Sequence, residues 1–145
     1  MTASTTVLET LTDTVFDSVE GYRKAADKAT SPQLKQALTE RAQRRQATLD
    51  QLNNALQRQG GNLVTKGTTA GALHRLWTDV SDLFGSGDAT AAQRVEEGED
   101  YLATKFEEAL KTDDLDPQVR AVIQAAYSEI KDGERFTNTL ERFNG

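Results

Sequence analysis

Apolar residues recur at every third or fourth position through four long stretches of this chain, a spacing that suits helices and excludes strands. In the first stretch, about 6–29, the residues Leu8, Leu11, Val15, Val19, Tyr22, Ala26 and Ala29 make one continuous stripe. The second, 32–60, carries Leu34, Leu38, Leu49, Leu52 and Leu56 on one side. Thr30, Ser31 and Pro32 divide the two, because Ser caps free N–H groups and Pro fits the first helical position. Gly60 and Gly61 end the second, where a left-handed cap costs little. A third helix is predicted over 88–112, with Val95, Leu102 and Phe106 in its stripe. A fourth, over 117–143, follows Asp116-Pro117 and turns Val119, Ile123, Ala126, Tyr127, Ile130 and Leu140 inward. The expected class is all-α.

Between the second and third long helices lies a join of about 26 residues. It holds a shorter predicted helix, 68–84, with the chain's single His and single Trp, His74 and Trp77. Each of the first two helices is roughly 36 to 42 Å long at 1.5 Å per residue, so this join decides the topology. Its helix and extended flanks are long enough to run back along the bundle and start the third long helix at the same end as the second. That predicts a ferritin-like four-helix bundle with one long crossover containing an additional helix, the whole of 1–145 forming one domain. The rival arrangement makes 68–84 a fifth antiparallel member.

The segments SVEGYRKAA (18–26), PQLKQALTERAQRR (32–45), GALHRLW (71–77), GED (98–100) and PQVRAVIQAAYSEI (117–130) together resemble a bacterial ferritin-like four-helix-bundle family of unknown function. GALHRLW in the crossover, followed by GED in the third long helix, is the most specific part. The resemblance implies the ferritin-like fold with a helical crossover. It implies no activity, since a shared fold confers none.

A ferritin-type di-metal centre needs a Glu from each of two helices and Glu-x-x-His from each of the other two. This chain offers Glu40-x-x-Gln43 and Glu129-x-x-Asp132, each with the right interval and the wrong second residue. An all-carboxylate iron or manganese site from Glu20, Glu40 and Glu99 fits by height along the helices, but Glu20 and Glu40 point well away from their apolar stripes. No metal or other cofactor is therefore expected, with that carboxylate site as the alternative. What the second helix does turn inward is Arg45, between Leu38 and Leu49, with Arg41 near the edge of the stripe. A buried guanidinium must be paired. Glu99 is the expected partner, Glu134 the second choice, and Tyr22 or Tyr127 a further member of the layer. The competing expectation is that Arg45 leads its head out to solvent along its aliphatic stem.

No Gly-rich nucleophile turn surrounds a serine, and no phosphate loop follows a strand, so no catalytic residue is assigned. His74 and Trp77 are read as the anchor of the crossover on the bundle. A net charge of −6 disfavours nucleic acid as the main partner. No apolar run is long enough to cross a bilayer, and no helix face is basic enough to bind a membrane surface. MTASTT has neither a basic flank nor an apolar block, which predicts a cytoplasmic location without a signal peptide. The expected role is structural or through protein association, with a homodimer as the default partner. The alternative is a degenerate metal protein with oxidase or storage chemistry.

Overall fold

The computed structural model describes the backbone of residues 3–64 and 88–143 and the side chains of 4–64 and 95–136. Four helices make up this part: α1 (Ala3–Lys28), α2 (Pro32–Arg58), α3 (Asp88–Leu110) and α4 (Pro117–Phe143). Among the described residues there is no strand, and no helix is long and apolar enough to cross a membrane. The expected 68–84 helix, with His74 and Trp77, lies outside the described residues. α1 begins at Ala3, ahead of the expected position 6, while α2 and α3 each stop two residues earlier than expected.

Helix ends follow local chemistry. Ser31 caps α2 in an extended conformation, its Oγ accepting from the Leu34 N–H at 3.4 Å, and Pro32 occupies the first helical position. At the other end Gly60 takes φ 78° and the Gly61 N–H donates to the Leu56 carbonyl at 2.8 Å, closing the last turn. Asp116 caps α4, accepting from the N–H groups of Gln118 and Val119 at 2.8 and 3.4 Å.

Contacts between helix ends set the directions. The Asp116 N–H donates to Ser4 Oγ at 2.9 Å, so α1 and α4 start together. Arg120 donates to the carbonyls of Leu110 and Thr112 at 2.7 and 2.8 Å, which brings the end of α3 to the same place. Gly61 lies against the Thr5 methyl, so α2 ends there too. α1 and α4 therefore run one way and α2 and α3 the other. Neighbouring pairs are α1 with α2, α3 with α4, α2 with α4 and α1 with α3. Because α2 and α3 are parallel, α3 starts at the end of the bundle opposite to where α2 finishes. The chain leaving α2 turns back at once, with the Asn53 side chain accepting from the Val64 N–H at 2.8 Å and donating to its carbonyl at 3.0 Å.

The end where α1 and α4 start is filled by Leu8 and Leu11 from α1, Leu52 and Leu56 from α2, Leu102 and Phe106 from α3, and Val119 and Ile123 from α4, all buried. Burying a Leu or Phe side chain contributes about 1.5 to 3 kcal/mol, so this apolar block carries much of the stability. One step up the bundle the filling changes character.

Candidate functional site

Midway along all four helices, the residues that face the axis are polar. α1 presents Ser18 and Tyr22, α2 presents Arg41, Arg45 and Thr48, and α3 presents Glu99, all of them buried. α4 adds Glu129 and, one turn later, Gly133.

Arg45 is the centre. Its Nη1 and Nη2 donate to Glu99 Oε1 and Oε2 at 2.8 and 2.6 Å, a two-point fork between groups that are each 0% exposed. Its Nε donates to Glu129 Oε1 at 2.7 Å, and Nη1 also donates to Ser18 Oγ at 3.0 Å. The guanidinium lies over the Tyr22 ring, 5.6 Å from its centroid. Thr48 Oγ1 adds a donor to Glu129 Oε1 at 2.7 Å. Arg41 Nη2 reaches the Glu129 backbone carbonyl at 2.8 Å and ion-pairs with Glu129 Oε2. Two guanidiniums thus face two carboxylates, and side chains from all four helices are tied into a single network.

Burial and pairing pull the charges in opposite directions. Burial draws Arg45 down, but the adjacent Glu99 carboxylate outweighs it and leaves the guanidinium above its ordinary value. Arg41 has no such surplus; burial, helped by the like charges of Arg45 and Arg44, holds it below. Burial also pushes the Tyr22 hydroxyl well above its ordinary value, and the Glu99 charge adds to this.

Gly133 makes the arrangement possible. A Cβ there would stand 2.9 Å from Arg45 Nη2 and 3.0 Å from the Glu99 carboxyl carbon, and would collide with Glu99 Oε2. Glycine in a helix interior costs about 1 kcal/mol relative to alanine. Here the missing side chain is the space into which the α3 carboxylate fits.

Arg45 and Glu99, the residues expected to pair, are brought together, and the guanidinium does not lead to solvent. Two expected companions are placed elsewhere. The Tyr127 hydroxyl donates to Glu107 Oε2 at 2.8 Å on the outside of the bundle, and Glu134 pairs with Lys131 at 2.7 Å. Glu129 takes the position foreseen for Glu134, where Arg41, Arg45 and Thr48 of α2 all reach its carboxylate. Glu20, Glu40 and Glu99 do not converge: Glu20 is half-exposed beside Arg23 at 3.8 Å and Glu40 faces solvent. Among the described residues no group of three or more His, Cys, Asp or Glu is placed to hold a metal ion. Arg45 donates to both Glu99 oxygens, and its positive charge opposes a metal ion beside them.

Sequence reasoning missed Thr48, Ser18 and Gly133, and it weighed Glu129 only as half of a metal motif, not as a partner of Arg45. Ser18 falls between Val15 and Tyr22 on the α1 stripe, and Gly133 follows Ile130 on the α4 stripe. A small or polar residue inside each of two facing stripes was the available signal.

The profile of a domain of unknown function, DUF2383, matches residues 3–112. The chain belongs to the DUF2383 family. That match takes in Ser18, Arg41, Arg45, Thr48 and Glu99, whereas Glu129 and Gly133 of this DUF2383 chain lie beyond it. No curated protein and no solved structure matches the chain.

Proposed function

We propose that this chain is a non-catalytic ferritin-like bundle whose central guanidinium–carboxylate layer occupies the level at which ferritin-like proteins place their metal centre, and which acts through protein association. The observation that carries the reading is the closed fork between Arg45 and Glu99, completed by Glu129 on the remaining guanidinium nitrogen. A cation built into the chain neutralises the carboxylates that a metal ion would otherwise need. The parallel run of α2 and α3 supports the ferritin-like connection, since it requires a join that returns along the length of the bundle. With its centre closed, the bundle offers its outer faces for interaction, and a second copy is the default partner.

The reading is tested by elemental analysis of protein purified without chelators, followed by anaerobic ferrous titration and exposure to air. The expected result is less than stoichiometric iron and manganese and no oxidation signal. Stoichiometric metal that disappears in Glu99→Gln would establish instead the carboxylate iron or manganese site.

A further inference from the structure

Charge is distributed unevenly over the outside of the bundle. The exposed positions of α3 include Glu97, Asp100, Glu107 and Glu108, as expected for a chain with 28% charged residues. The exposed positions of α4 from Pro117 to Ser128 are different: Pro117, Gln118, Ala121, Gln124, Ala125 and Ser128, with no charge over three turns. α2 packs beside α4, and the strip of α2 next to this region exposes Ala47, Gln51 and Asn54. A shallow groove of about 270 Å³ runs between the two helices, lined by Gln51, Asn54, Arg58, Ala121, Val122 and Ala125. Interface centres are depleted of charge and ringed by polar groups.

The charges that border this face are of opposite sign and evenly placed. Asp50 lies four residues before Asn54 and Arg58 four residues after it, both exposed. On a helix these three positions share one side, and the two charges are separated by roughly 12 Å. A two-fold axis passing through Asn54 lays α2 antiparallel to its copy and sets each Asp50 opposite the Arg58 of the other molecule. An isologous contact requires this self-complementarity. Alanines at 121 and 125 let the helices come close.

We propose that the α2–α4 face centred on Asn54 binds a second copy of this chain about a two-fold axis, with two reciprocal Asp50–Arg58 contacts. The proposal deepens the association reading by naming its surface, and it does not depend on the metal content of the layer. The test is sedimentation-equilibrium measurement of the full chain over a range of concentrations. Wild type is expected to dimerise. Asp50→Arg and Arg58→Asp are each expected to weaken the dimer about tenfold, because two attractive contacts become repulsive. The double variant Asp50→Arg/Arg58→Asp is expected to return to within about twofold of wild type. Circular dichroism confirms folding of each variant, and Lys24→Glu, at an exposed position of α1, is the control. A wild-type chain that stays monomeric overturns the proposal and leaves the metal-free reading standing. A dimer that neither reversal weakens, or that the double variant fails to restore, shows that association uses another face.

Discussion

The two filled regions of the bundle differ in what happens when one residue is removed. In the apolar block at the start of α1 and α4, every side chain touches others of the same kind, and a loss is a cavity with a local cost. In the polar layer, Arg45 is tied to Glu99, Glu129 and Ser18 at once, and a loss strands a buried charge. Replacement by well-packed apolar residues spares the block and can also spare the layer, because a buried ion pair contributes little net stability beyond its desolvation cost. What the layer adds is a requirement that four helices meet at one height. A shift of α3 by one residue would take Glu99 out of reach of Arg45, whereas Leu102 and Phe106 would find other apolar neighbours.

This contrast can be broken at several points, and chemical denaturation with a linear extrapolation measures each one. The largest expected effect is Glu99→Ala, a loss of about 3 to 5 kcal/mol as Arg45 is left without its main partner. Replacing both residues together, Arg45→Met with Glu99→Leu, is expected to cost far less than the two single changes added. If the double variant loses as much as their sum, the layer is a source of stability rather than of register.

Next comes Leu56→Ala in the apolar block, at about 2 to 5 kcal/mol, additive with Arg45→Ala because the sites are separate. Gly133→Ala follows at about 1 to 3 kcal/mol, despite the better helix propensity of alanine, since the new methyl meets the Glu99 carboxylate. A stabilising Gly133→Ala would mean that the layer can relax around it. Ser31→Ala, which touches neither region, is expected to cost about 1 kcal/mol through loss of the α2 cap.

The smallest effect concerns pH. Asp100, next to Glu99 on the outer side of α3, is raised to about 7, first by its hydrogen bond with Glu134, then by burial and the neighbouring carboxylates. A carboxyl held above its unfolded value, about 3.9, favours the folded state fully below that value, and its contribution is lost as pH rises toward 7. Asp100 is exposed, so solvent screening keeps the effect to a few tenths of a kcal/mol or about 1 at most. Asp100→Asn is expected to flatten the fall in stability between pH 4 and 7. An unchanged slope would assign that fall to other groups.

How legible these regions were follows from the signal each leaves along the chain. The helices stood out because burial of one face forces a period of three to four, which Leu34, Leu38, Leu49, Leu52 and Leu56 keep on either side of Arg45. Arg45 stood out because a cation in the middle of such a stripe is costly unless paired. Glu129 did not, because it lies beside the α4 stripe, 17% exposed, and is drawn into the layer by Arg41, Arg45 and Thr48 from another helix. Gly133 carries no side chain, so its role exists only in relation to the carboxylate of α3.

The sequence by itself determined that this chain is helical, where its helices are capped, and that a guanidinium in the α2 stripe had to find a carboxylate. Those are consequences of periodicity, capping and desolvation, all readable within one helix. Which carboxylates answered, and whether glutamates on different helices met one another or an arginine, was decided only when four helices took their directions and heights together. Distances between helices depend on packing across the whole bundle, and no single stretch of the chain encodes them.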